Sequence, residues 1–155
     1  MKRVRSRAPL RLGLAGGGTD VAPFCNIYGG KLINITMSRY AYTLIESIEE
    51  GLIKFNSIDQ NIEFSYQLDE EFKKDKKVML LESCYEFTMD KYNNGNKLPL
   101  SLKTLSDCPV GSGLGASSTL VVSILAALRE FLGLPIDKNI IAADSYHVER
   151  IICKQ

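Results

Sequence analysis

The chain has 155 residues, 45% hydrophobic and 24% charged, and its 19 Lys and Arg against 18 Asp and Glu leave a formal net charge of +1. That composition gives one domain with a sizeable core and no field of either sign that would draw nucleic acid or a membrane surface. Four scattered cysteines without a Cys-x-x-Cys pair and a single histidine give no zinc pattern and read as reduced thiols of a cytoplasmic protein; no apolar run reaches transmembrane length.

Val4, Ser6, Ala8, Leu10, Leu12 and Leu14 alternate with Arg3, Arg5, Arg7, Arg11 and Gly13, which predicts a strand with one face on a core. The basic face is either a solvated strand surface or a contact for an anionic ligand, and Arg11, nearest the following loop, is the better candidate. That loop, Ala15-Gly16-Gly17-Gly18-Thr19-Asp20, strips side chains from the backbone and then presents a hydroxyl and a carboxylate together. Such a pair can read the hydroxyls of a polyol.

A turn-rich stretch with Pro23 follows, then strand patterns at Lys31–Met37, Tyr40–Ser47, Leu52–Ser57 and Ile62–Tyr66, expected to connect as a meander. The charged mixture Asp69–Lys77 reads as a solvated linker. Val78, Leu81, Tyr85, Thr88 and Tyr92 recur at helical spacing up to the stop Asn93-Asn94-Gly95. Leu98, Leu100, Leu102 and Thr104 alternate once more as a strand. It feeds the run Pro109-Val110-Gly111-Ser112-Gly113-Leu114-Gly115-Ala116-Ser117-Ser118.

Alternate glycines leave backbone N–H groups uncovered and permit positive φ, and the following helix, expected over about Ser118–Leu132, adds the positive end of its dipole. The helix is apolar nearly all round, so it must be buried and its N-terminus rigid. The loop therefore suits phosphate. It is not a Walker A loop, because no lysine follows the last glycine. Gly111, Gly113 and Ala116 match G-x-G-x-x-A, yet no second strand with a ribose-binding acid follows, which counts against a dinucleotide site. A strand-to-helix turn without ligand is the remaining alternative. Beyond Gly133-Leu134-Pro135 a last helix starts near Asp137 and carries Asp144, His147, Glu149 and Arg150.

Arg7–Asp20 resembles the first motif of the GHMP small-molecule kinases, and Pro109–Thr119 resembles their second, ATP-phosphate motif, in the right order and separation. Galactokinases carry Gly-Glu-His-Thr-Asp where this chain has Gly16-Gly17-Gly18-Thr19-Asp20. With Phe24, Tyr28-Gly29-Gly30 and Leu32-Ile33-Asn34 the pattern is most similar to D-glycero-D-manno-heptose 7-phosphate kinases, with fucokinases as near neighbours. The resemblance implies an α+β fold: the two-layer α/β GHMP N-terminal domain of ribosomal-protein type, filling residues 1–155, with a β-α-β crossover left-handed against the general rule.

It further implies transfer of the ATP γ-phosphoryl group to the anomeric hydroxyl of a heptose 7-phosphate, on the route to nucleotide-activated heptose for lipopolysaccharide or capsule. Pro109, Gly111, Ser112, Gly113, Leu114, Gly115, Ala116, Ser117 and Ser118 would hold the ATP phosphates. Ser117 and Glu149 would hold Mg²⁺, which prefers oxygen ligands. Arg11, Gly17, Gly18, Thr19 and Asp20 would bind the sugar, with Asp20 oriented by Thr19 and Arg11. The family's catalytic Asp and C-terminal domain are expected beyond Gln155, so the isolated chain reads as an inactive fragment. A non-catalytic partner that binds nucleotide or sugar is the alternative of a different class. Oligomeric state is not legible.

Overall fold

The computed structural model describes every residue except Glu50, Val110, Lys154 and Gln155. Five strands form one sheet: β1 (Arg3–Ala15), β2 (Ile33–Ser47), β3 (Leu52–Ser57), β4 (Ile62–Gln67) and β5 (Leu100–Ser106), in the spatial order β1-β2-β5-β3-β4. Both β1 and β5 pair antiparallel with β2, β3 pairs antiparallel with β4, and β3 runs parallel to β5. The expected meander is therefore wrong at one step, because β5 is inserted between β2 and β3. Local periodicity predicts strands but carries no information on which neighbour closes a ladder.

Alternate positions set one sheet face against the core. Val4 stands opposite Ile45, Ile45 opposite Leu102, and Leu102 opposite Phe55, and all four side chains are buried. Two helices cover that face, α2 (Met79–Tyr92) and α3 (Ala116–Leu132), and α4 (Lys138–His147) packs against α3. Helix α3 packs on β1 and β2 and is flanked by α2 and α4. Its Val121, Ile124, Leu125 and Leu128 are buried, and each fully buried aliphatic side chain contributes about 1.5–3 kcal/mol. The helix begins at Ala116, two residues earlier than its hydrophobic pattern suggests. It ends where Gly133, at φ +74°, sends its N–H back to Glu130 and the Leu134 N–H bonds the Arg129 carbonyl, a left-handed stop that glycine adopts without strain.

Two strand patterns of the sequence are one strand. β2 is continuous, with a register shift where Pro9 pairs Tyr40 but Arg11 pairs Thr36, so a bulge around Met37–Arg39 interrupts the alternation without ending the strand. Beyond it, β1 and β2 run past the helical layer as a two-stranded arm. Leu12 and Leu14, expected in the core, are 41% and 59% exposed there. A short helix, α1 (Phe24–Tyr28), follows Pro23. At the other end, α4 is capped by Asp137, which accepts from the Asn139 and Ile140 N–H groups, and passes into a π-helical turn at Val148–Ile152.

Candidate functional site

Strand β5 ends at Ser106 and the chain enters the glycine loop directly. Gly111, Gly113 and Gly115 have φ of +82°, +73° and +67°, so all three alternate glycines occupy the region that other residues enter only with strain. A Cβ at Gly111 or Gly113 would meet open space. The requirement there is conformational, and the loop surface is bare. Gly115 caps α3 with its own carbonyl, which accepts from the Thr119 N–H and hydroxyl, while no side chain caps the helix. The first-turn N–H groups of Ala116, Ser117 and Ser118 thus lie at the positive end of a 17-residue helix.

Arg11 ties this loop to the first one. Its N–H bonds the Leu114 carbonyl at 3.4 Å, its Nη1 donates to Asn34 Oδ1 at 3.1 Å, and a Cβ on Gly115 would touch its guanidinium. The structure therefore places Arg11 between the two motifs. Thr19 does not orient Asp20. Its hydroxyl closes the first loop on itself, 2.7 Å from the Gly16 carbonyl and 2.9 Å from that of Lys31. The packing-critical glycines of this loop are Gly16, whose Cβ would collide with the Lys31 carbonyl, and Gly30, whose Cβ would collide with that of Thr19. Gly17 and Gly18 face open space.

A cavity of about 250 Å³ lies beside this loop, lined by Arg11, Gly17, Gly18, Asp20, Asn34 and Arg150 among others. It brings together four of the five residues expected to hold a sugar. It also adds Arg150, which lies in the π turn and which sequence reasoning did not place at this site, because nothing in the local sequence marks a π turn. Arg3, by contrast, is paired with Glu46, and Lys2 donates to the Phe131 carbonyl. The basic start of β1 does not reach this cavity.

The same turn carries Glu149. Ser118 Oγ donates to Glu149 Oε1 at 2.8 Å, which sets a carboxylate beside the first turn of α3. Burial pushes the nearby Cys84 thiol up. Among the described residues no group of three or more His, Cys, Asp or Glu side chains is placed to hold a metal. One carboxylate with serine hydroxyls fits Mg²⁺, which takes few protein ligands and completes its shell with phosphate oxygens and water. A second cavity, lined by Asp59, Gln60, Ser106, Asp107, Cys108 and Pro109, lies at the foot of the loop. Pro109 also accepts from the Ser112 N–H.

Residues 79–155 match the family model described as the GHMP kinases N terminal domain. Over 150 residues the chain is 42% identical to a D-glycero-alpha-D-manno-heptose 7-phosphate kinase of Campylobacter jejuni, covering 97% of this chain and 44% of that protein. An L-fucokinase/L-fucose-1-P guanylyltransferase of Bacteroides fragilis is more distant, at 25% identity with 96% of this chain and 18% of the relative covered. Among solved structures, a D-glycero-D-manno-heptose 1-phosphate kinase of Bacteroides thetaiotaomicron superposes with a TM-score of 0.89 at 41% identity, over 97% of this chain and 49% of that one. A mevalonate kinase of Methanococcus jannaschii superposes at 0.83 with 20% identity, over 99% and 48%, and shares the fold. The chain spans about half the length of the heptose phosphate kinases and the mevalonate kinase it matches.

Proposed function

Because the chain belongs to the GHMP kinases through their N-terminal domain, we propose that its protein transfers the γ-phosphoryl group of ATP to the anomeric hydroxyl of D-glycero-D-manno-heptose 7-phosphate. The product is the 1,7-bisphosphate. One observation carries the choice of a phosphorylated sugar: the cavity beside the phosphate loop is lined by two guanidiniums, Arg11 and Arg150, and one carboxylate, Asp20. A neutral sugar needs hydrogen-bonding acids and amides, whereas paired arginines recognise a phosphate through forked donors.

In this reading the loop N–H groups from Gly111 to Gly115 and the first turn of α3 bind the ATP phosphates, and the nucleoside occupies the cavity at Ser106–Pro109. Ser117, Ser118 and Glu149 hold Mg²⁺, which when bound neutralises charge developing on the transferred phosphoryl group. Arg11 spans both sites and fixes the distance between donor and acceptor. Asp20 accepts from sugar hydroxyls and orients the acceptor. Phosphoryl transfer depends chiefly on such positioning and on fixed donors that need no reorganisation. The product suits the cytoplasmic supply of nucleotide-activated heptose for surface polysaccharide.

ADP release measured with the natural full-length polypeptide tests this reading across heptose 7-phosphate, the unphosphorylated heptose, fucose and mannose. The expected result is a kcat/KM at least a hundredfold higher for the 7-phosphate. Equal or better use of fucose overturns it in favour of a fucokinase.

A further inference from the structure

The helices cover one face of the sheet; the other face holds a separate cavity of about 480 Å³ across β1, β2 and β5. Its floor is apolar, from Leu44, Ile58 and Leu105 with the ring of Tyr42, and Ile58 and Leu105 are 55% and 39% exposed. Its rim is cationic. Arg5 faces Leu44 and Arg7 faces Tyr42 across the β1–β2 ladder, and Lys103 faces Leu44 from β5.

The charges on this face do not cancel. Glu46 is shared by Arg3 and by Lys103 at 3.1 Å, and these two cations hold its carboxyl below the usual range, Lys103 more than Arg3. No carboxylate lies within ion-pair distance of Arg5 or Arg7 among the described residues. Arg7 is steadied by the ring of Tyr40, with its guanidinium carbon 4.8 Å from the centroid, which fixes its direction and, among the described residues, leaves its N–H fork without an acceptor. Two unneutralised guanidiniums beside an exposed apolar floor complement one kind of molecule.

We propose that this face is a second ligand site, separate from the phosphoryl-transfer site, for a small amphiphilic anion: a flat apolar body on Leu44, Ile58 and Leu105 with a phosphate or carboxylate between Arg5 and Arg7. The cavity shares no lining residue with the acceptor cavity or with the cavity at the loop. It is nonetheless coupled to the loop through covalent structure. Leu105 lies just before Ser106–Pro109, and Asp107, in that link, accepts from the Tyr40 N–H at 2.8 Å. A ligand on the sheet would therefore bias the segment that presents the phosphate loop.

Calorimetric titration of the full-length polypeptide with 1-naphthyl phosphate tests the site. Expected is one saturable site, still present in saturating Mg²⁺-ADP and weakened at least tenfold in the double variant Arg5→Ala, Arg7→Ala. Both arginines are exposed, so the double variant keeps the wild-type melting curve and the loss cannot come from unfolding. Replacing Leu14 by Ser, on the apolar arm, leaves binding unchanged. Displacement by Mg²⁺-ADP, weakening by Leu14→Ser, or equal binding of neutral 1-naphthol or of inorganic phosphate alone would overturn the proposal. To separate a phosphate from a carboxylate ligand, 1-naphthoate is titrated in parallel, and failure of both anions to bind refutes the site.

Discussion

The Ser118 hydroxyl donates to Glu149 Oε1 at 2.8 Å, which joins the first turn of α3, capped by no side chain, to the π turn that follows α4. Neither residue belongs to the other's motif in the sequence. The contact turns two surface-compatible positions into one oxygen-bearing site at the helix N-terminus, where a cation bound to phosphate would sit.

Replacing Glu149 by Gln in the full-length enzyme keeps an oxygen acceptor for Ser118 and removes the negative charge. Turnover is expected to fall roughly a hundredfold or more, the scale of losing one oriented stabilising group, with the Mg²⁺ concentration for half-maximal rate raised. Ser117→Ala is expected to fall by a similar factor. Steady-state kinetics against free Mg²⁺ decide it; a wild-type metal dependence for both variants removes these residues from the metal site.

Arg150 offers a sharper test of the acceptor. Arg150→Ala should raise KM for the sugar phosphate at least tenfold while leaving KM for ATP within about twofold, because it lines the cavity beside Gly17, Gly18 and Asp20, where the acceptor is proposed to bind, and not the cavity at Ser106–Pro109. If both KM values rise together, Arg150 acts on the fold of the π turn instead.

The two glycine motifs should respond differently to alanine. At Gly113 the φ of +73° meets open space, so Gly113→Ala strains one residue by about 1–2 kcal/mol and chiefly weakens ATP binding. At Gly16 the added Cβ collides with the Lys31 backbone, which must move, so Gly16→Ala should destabilise the arm more and weaken sugar binding first. Melting curves and separate KM values for the two substrates distinguish these outcomes.

Much of this architecture is written in local pattern. Arg3–Leu10, Leu52–Ser57 and Val121–Leu128 carry the periods of a half-buried strand or a buried helix, and the glycine spacing at 111, 113 and 115 marks the positive-φ loop. What local pattern cannot carry is partnership. β5 enters between β2 and β3 because its Leu100 and Leu102 fit Ile53 and Phe55 on one side and Ile45 on the other, a match of side chains far apart in sequence. Leu12 and Leu14 read as core because alternation says which face they share, not whether a helix reaches that far. Arg150 was illegible because its place depends on the π turn at Val148–Ile152, which local periodicity does not announce.

Glu82 gives a pH signature of the core. It is buried, and Tyr66 donates to its Oε1 at 2.6 Å while Oε2 has no hydrogen-bond partner among the described residues. Burial raises its pKa, opposed by the Tyr66 hydrogen bond. A carboxyl with a raised folded pKa binds its proton more tightly in the folded state, so its contribution to stability is full below the unfolded value of about 4.3 and is lost as pH rises through the folded value. Glu82→Gln does not titrate. Its melting temperature relative to wild type should therefore rise between about pH 4 and neutrality, and a difference that is flat with pH would refute the assignment.

Asp144 locks the helix that presents Glu149 and Arg150. It is 2% exposed and accepts from Lys91 Nζ and the Tyr92 hydroxyl, both at 2.6 Å, so α4 is held to the end of α2. Arg129 of α3, 4% exposed, lies with Nη1 3.9 Å from Asp144 Oδ2 and stacks on Tyr92 at 4.7 Å. The Lys91 side chain is 47% exposed, so solvent screens its share and that ion pair alone contributes little. Arg129 differs: its Nε and Nη2 bond the Pro135 carbonyl, but Nη1 has no hydrogen-bond partner among the described residues, and Asp144 is the carboxylate that balances it. Asp144→Asn leaves that guanidinium buried and uncompensated, which should cost about 3 kcal/mol. Lys91→Ala should cost less than about 1 kcal/mol. Urea unfolding of the two variants decides between them: equal losses would mean that the surface lysine, and not the buried arginine, is what Asp144 serves.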